Sequence, residues 1–368
     1  MAAPIPFEPL PSRAPPHTAT GLLARVRTDF FGSPGNAVTT ILFGGLLAYA
    51  LPPVFTWLVG NAVWHADYAA CRAQDHAGAC WGFVAEKWRL ILFGRYPFDE
   101  QWRPLTATAA VVAALVVTAI PAFWRRWLVW LWGAALASFF VLMSGGVIGL
   151  IRVDTGLWGG LPLTVLLTLI GMGASIPIGI LLALARRSDL PLLRALATLY
   201  IELVRGVPLI TVLFTASFVF PLLLPQGIRF DVLTRVALGI VLFQAAYMAE
   251  VVRGGLQALP KGQGEAAAAL GLSWWQLQRK VILPQALTLV IPSFVNSLLS
   301  TFMDTSLVTV VSMYDLTGAL RLALGDAQWR NFFLEGYLFV ALIYFACCFA
   351  MSRYSHWLEH RLGRWTRS

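Results

Sequence analysis

The sequence predicts an all-α polytopic membrane protein with eight transmembrane helices. Three observations lead there. Of 368 residues, 58% are hydrophobic and 12% charged, against roughly 25% charged in a soluble domain, so polar groups cannot cover a water-facing surface. Eight apolar runs reach spanning length, about 20 residues. Basic residues gather in short loops beside those runs, the bias that sets membrane orientation.

The runs lie near 37–60, 105–123, 127–150, 162–185, 195–223, 235–252, 286–311 and 335–352. The first starts too late and is too long for a cleaved signal peptide, and reads as a retained anchor. With the N-terminus inside, sixteen basic loop and tail residues fall inside and ten outside. Five of those ten sit in one long loop, which counts for less. Both termini are therefore expected in the cytoplasm. The net charge of +9 then serves topology, and no nucleic-acid partner is expected.

Residues 1–36 contain seven prolines, six of them within 1–16, and few apolar residues and are expected to be a disordered cytoplasmic segment. Residues 37–155 form a three-helix N-terminal extension around an outside loop, 61–104, expected to pack as a scaffold on a core. That loop holds Cys71 and Cys80. An oxidising periplasm would permit a disulfide between them; two free thiols are the alternative. Five further helices occupy 156–354, and 355–368 form a basic cytoplasmic tail.

The longest inside connection reads Gly262-Gln-Gly264-Glu265-Ala266-Ala267-Ala-Ala-Leu-Gly271-Leu-Ser273-Trp-Trp-Gln276, continuing to Val281-Ile-Leu283-Pro284. Physically this is two short helices. Glu265 is expected at a helix start, where the macrodipole favours a carboxylate. The alanines give high helix propensity with little bulk, so another protein can approach the backbone. Gly271 suits a left-handed C-terminal cap, Ser273 and Gln276 a capping box, and Pro284 a stop.

This run resembles the Glu-Ala-Ala signature of ABC importer permeases, matched by Glu265, Ala266, Ala267, Gly271, Val281, Leu283 and Pro284. The neighbouring Ala246-Tyr247-Met-Ala-Glu250-Val-Val-Arg253, Leu184-Ala-Arg-Arg, Tyr200-Ile-Glu202-Leu-Val-Arg205-Gly-Val-Pro208 and Asp304-Thr305-Ser306-Leu resemble polar amino-acid permeases of the histidine/glutamine/glutamate family. The length resembles one permease subunit of the general L-amino-acid (glutamate/glutamine/aspartate/asparagine) systems. The resemblance implies a type I importer core of five helices in a bacterial inner membrane. It makes 260–284, with Gly264, Glu265, Ala266, Ala267 and Gly271, the coupling helix for a cytoplasmic ATP-binding subunit dimer. It also implies a paralogous second permease and a periplasmic amino-acid-binding protein. In the family Lys often precedes Asp-Thr-Ser; here Met303 stands there, which leaves the substrate range open.

Ionisable groups inside a span cost a few kcal/mol each, so Glu202, Arg205, Glu250 and Asp304 are functional candidates. Glu202 and Arg205 are spaced to pair on one helix face, as are Glu250 and Arg253; structural ion pairing is the plain alternative for all four. Ser293, Asn296, Ser297, Ser300 and Asp304 make a polar stripe suited to a pathway or to interhelical hydrogen bonds. A zwitterionic substrate needs donors and acceptors, which Arg205, Gln244, Tyr247, Asn296 and Asp304 can supply. Thr305 and Ser306 join the candidate pathway through the resemblance. Pro208, Gly171 and Gly173 are candidates for loosening helices, or for ordinary packing.

No Gly-x4-Gly-Lys-Ser/Thr loop is present, so no cofactor is expected on this chain, and ATP and Mg belong to the partner ATPase. His356 and His360 are spaced for a metal but lack the Glu of a zinc protease and read as solvated. The alternatives are an ion-coupled secondary amino-acid transporter, an ABC importer for basic amino acids, and a non-transporting scaffold or sensor.

Overall fold

A computed structural model of the chain describes residues 21–73, 78–147 and 149–362. Contacts divide it into two units, Met1–Trp81 and Gly82–Ser368.

In the first unit α1 (Leu22–Phe31) precedes α2 (Pro34–Phe55). Thirteen residues of the stretch expected to be disordered, 22–31 and 34–36, are therefore helical, and residues 1–20 lie outside the described residues. Ser33 caps α2 by accepting from the Asn36 amide, and Pro34 takes the first helical position, where no N–H is needed. Pro52 and Pro53 remove two donors further on, and the helix widens into a π turn at Thr56–Gly60. No residue of α2 is buried, as suits an apolar helix with lipid around it. A short helix, α3 (Tyr68–Ala73), follows. Cys71 and Cys80 are joined in a disulfide, with Cα atoms 5.6 Å apart. Beside it Trp64 stacks on Trp81, whose indole donates to the Leu58 carbonyl at 2.9 Å.

The second unit opens with α4 (Gly82–Phe93), α5 (Trp102–Ala119) and α6 (Trp127–Ser144). The boundary between units thus falls inside the expected extension rather than at residue 155. The reason is a shared core: Phe93, Tyr96, Val111, Phe139 and Met143 bury with Leu163, Leu167 and Ile240 of the helices that follow. Arg103 is fully buried and fixes the turn after α6, donating to the carbonyls of Leu142 (2.6 Å) and Ile151 (2.9 Å). Tyr96 donates to Met143 O at 3.0 Å, and burial pushes its phenol up to about 12.

The remaining helices are α7 (Gly160–Arg186), α8 (Pro191–Arg205), α9 (Leu209–Phe214), α10 (Phe220–Leu223), α11 (Val232–Ala258), α12 (Lys261–Ala269), α13 (Trp274–Leu277), α14 (Leu283–Asp304), α15 (Leu316–Ala323) and α16 (Phe333–Leu362). Among the described residues seven helices are long and apolar enough to span a membrane, and eight if one bent pair counts as a span. That pair corrects the expected continuous helix at 195–223: α8 and the α9–α10 segment meet at 104°. Gly206 ends α8, and Pro208 is extended at φ −61°, ψ 143°. A proline without an N–H, which also disfavours helix at the residue before it, breaks the run there.

Small residues let the long helices touch. A Cβ on Gly179 would stand 2.5 Å from Met248 Cβ, and one on Gly171 would meet Ile240 at 2.7 Å, so α7 lies directly on α11. Gly255 seats α11 on Ala286 and Val290 of α14 in the same way. Gly173 has open space instead.

Candidate functional site: a polar cavity above an ion-pair network

The break after α8 leaves a cavity of about 660 Å³. Arg205, the last residue of α8, and Gly206–Pro208 form one wall. Phe243, Gln244 and Tyr247 of α11 form the second, and Asn296, Ser297, Ser300 and Asp304 of α14 the third. Positions 296, 300 and 304 are four apart, so helical geometry puts them on one face. Gln244 is 4% exposed. Among the described residues, the side chains of Gln244, Asn296, Ser300 and Asp304 form no hydrogen bond or ion pair within the chain. Gln244 is buried, Asp304 half-buried and Asn296 and Ser300 exposed to the cavity, so the lining presents donors and acceptors to whatever enters it. The Arg205 guanidinium lies 5.8 Å from the Tyr247 ring centre, within cation–π range.

Glu250, on α11 below the cavity, collects cations from three helices. It accepts from Arg186 of α7 at 2.5 Å and from Arg253 at 2.6 Å, and Arg205 stands 3.6 Å away. Arg186 also bonds Glu202 of α8 at 2.7 Å. The expected Glu202–Arg205 pair is thus replaced by Glu202–Arg186, because Arg186 enters between α8 and α11 and reaches both carboxylates. The Glu250–Arg253 pair forms as its spacing suggests.

The connection between α11 and α14 folds as two short helices with one left-handed residue, Gly271, between them. Gly271, at φ +77°, ends α12 in a Schellman motif: the Leu272 amide donates to Ala267 O (3.3 Å) and the Gly271 amide to Ala268 O (2.9 Å). Ser273 and Gln276 form a reciprocal capping box on α13. Two expectations change here. Pro260 caps a helix that begins at Lys261, so Glu265 lies on the second turn, exposed, rather than at the start. Pro284 opens α14 instead of stopping a helix, because a π turn at Gln278–Ile282 carries the chain through. Ala267 is buried, whereas Leu270, Trp274 and Trp275 are 82%, 48% and 69% exposed, an apolar patch on the tip.

Residues 175–364 match the family model described as binding-protein-dependent transport system inner membrane component. The inner membrane amino-acid ABC transporter permease protein YhdY of Escherichia coli (strain K12) is 44% identical over 96% of both chains. The chain belongs to the amino-acid ABC transporter permeases. The glutamate/glutamine/aspartate/asparagine transport system permease protein BztC of Rhodobacter capsulatus is 37% identical over 97% of both. A crystal structure of an amino acid ABC transporter with histidines is 28% identical over 55% of this chain and 92% of its own, with a TM-score of 0.49.

This permease is a multi-pass transport component rather than an enzyme, and the family implies an ATPase partner. Its relatives lend nothing to an ion-coupled mechanism. The five residues singled out for a zwitterion, Arg205, Gln244, Tyr247, Asn296 and Asp304, line one cavity. Glu202, Glu250, Thr305 and Ser306 do not. Thr305 is 1% exposed and bonds Phe302 O at 2.8 Å, a helix-end contact. Met303 is half exposed and does not line the cavity. Sequence reasoning places Arg186 only within the Leu184-Ala-Arg-Arg motif, without its two carboxylate partners, and gives no role to the exposed Trp274–Trp275 tip. Two adjacent tryptophans in the short connection between two apolar runs are the available signal for the latter.

Proposed function

We propose that the cavity holds the amino acid in transit from periplasm to cytoplasm, with Arg205 facing its α-carboxylate and Asp304 its ammonium. The observation that carries this reading is the set of unpartnered polar side chains on α11 and α14 facing the end of α8. A free carboxylate and ammonium complete that set with charge-assisted bonds, the strong kind. Polar L-amino acids are the substrate class, either broadly or as the glutamate/glutamine/aspartate/asparagine group that BztC's name carries. The α12–α13 tip, with Gly264, Glu265, Ala266, Ala267 and Gly271, is the surface for a cytoplasmic ATP-binding subunit dimer, which holds ATP and Mg. Its bare alanines and exposed tryptophans favour close apolar docking. A paralogous permease completes the pathway, and a periplasmic binding protein delivers the substrate. Both termini lie in the cytoplasm of a bacterium, with the spans in its inner membrane.

The test is ATP hydrolysis in proteoliposomes holding the permease pair, its ATPase and its binding protein, with a panel of all common L-amino acids. Polar L-amino acids are expected to stimulate hydrolysis. Glu265→Arg should abolish stimulation with helical content intact, and Arg205→Gln should cut it about tenfold or more, as loss of a charged hydrogen-bond partner does. Stimulation by lysine and arginine alone would replace the substrate class with basic amino acids. Uptake that follows an ion gradient without ATP would remove the coupling role of α12.

A further inference from the structure

The charges below the cavity do not balance. Arg186, Arg205 and Arg253 face Glu202 and Glu250, three cations against two anions. Glu250 is committed to the two close guanidiniums, at 2.5 and 2.6 Å, and to Arg205 only at 3.6 Å without a hydrogen bond. Arg205 is also the network residue that lines the cavity. Asp304, the other charged group on that lining, makes no ion pair with it. The surplus positive charge is therefore displayed where a substrate enters, and an uncompensated charge in a partly dry site is costly.

We propose that Glu250 is a positioning residue that holds Arg205 until a substrate α-carboxylate takes it, and that this exchange signals occupancy to the ATPase. The proposal rests on the reading of the cavity as the amino-acid site. A carboxylate in the cavity supplies the missing anion and leaves Glu250 to Arg186 and Arg253. That loosens the tie between α8 and α11 while α7 stays bound to both. Glu250 is eight residues, about 12 Å of helix, before the end of α11 at Ala258, and α12 starts three residues beyond it at Lys261.

The permease is purified with its partner subunits in nanodiscs, and labelled L-glutamate, L-glutamine, L-aspartate and L-asparagine serve as probes. Glu250→Gln keeps the volume and removes the competing charge. It is expected to bind the preferred probe about fivefold more tightly or better, the lower end of common coupling effects. Its ATPase should run fast without amino acid and gain little on addition; Glu250→Asp should restore stimulation. A merely structural Glu250 would weaken binding and hydrolysis together. Wild type supplies a check independent of any variant: the α-carboxamides of the same amino acids should neither bind nor stimulate. Unchanged or weaker binding with normal stimulation in Glu250→Gln, or carboxamides that stimulate wild type, overturns the exchange. If Arg205→Gln binds all four probes like wild type, the cavity assignment itself fails.

Discussion

Asp315 shows what a single side chain must settle in this fold. It caps α15, accepting from the Gly318 amide at 2.8 Å and from the Tyr344 hydroxyl at 3.1 Å, and it is fully buried. Burial pushes its carboxyl above the ordinary 3.8, against the pull of its hydrogen bonds. The folded state therefore keeps this proton to higher pH than the unfolded chain does. Wild type should lose stability as pH rises from 3.8 through the raised value, and then level off. Asp315→Asn keeps an acceptor for the cap without the charge. Its thermal midpoint in detergent, relative to wild type, should move in the variant's favour from pH 4 to pH 7. A constant gap, or one moving the other way, would mean that the carboxyl titrates normally. Gly179 sets a different limit: against Met248 at 2.5 Å, no side chain fits without parting α7 from α11.

Among the elements, the α12–α13 hairpin depends most on one backbone torsion. Gly271 holds φ +77° with nothing within 4 Å of where a Cβ would be. Space is therefore no obstacle, and only the left-handed conformation resists substitution. Gly271→Ala is expected to cost the hairpin about 1–2 kcal/mol. The Schellman bonds to Ala267 and Ala268 should fray, and the complex with the ATPase should weaken roughly tenfold. Titration of labelled ATPase onto nanodiscs measures it; wild-type affinity would show that the tip reforms on docking. The α8–α9 break works by the same kind of local rule. Gly206-Val-Pro208 forces a corner in a run whose hydropathy is continuous, and the corner creates the cavity wall.

For the whole molecule, orientation is open to a chemical test. The Cys71–Cys80 bond needs an oxidising side, which is the side the basic-residue bias assigns to 61–81. In intact cells a membrane-permeant maleimide should leave both cysteines unlabelled until a reductant is added. Labelling without reductant would place that loop inside or leave the thiols free. The eight apolar runs, the Gly271 cap and the capping box at Ser273 were legible because each rests on neighbours in sequence. The Arg186 bridge was not, since it joins residues 16 and 64 positions apart that only the α7–α8–α11 packing brings together. Packing of the extension on a core was an expectation of the sequence, but the side chains that share that core, such as Phe139 and Leu163, were not legible because they come from different helices. The polar stripe on α14 was visible as periodicity, but its destination needed the corner at Pro208.

The α11 helix carries cavity residues at its middle, the ion-pair carboxylate Glu250 one turn further on, and α12 just past its end. It contains no proline, whereas α7 holds Pro177 and α14 holds Pro292. Its 27 residues make a beam about 40 Å long, stiff beside two neighbours that can flex. Turning it by about 5° around its midpoint would swing either end by a little under 2 Å, on the same rise per residue. Leverage of that size moves Gln244 and Tyr247, near the pivot, far less than it moves Lys261. A stroke at the α12 end would then shift Glu250 and its ion pairs more than it shifts the cavity lining, so the charge network would feel the movement before the cavity does.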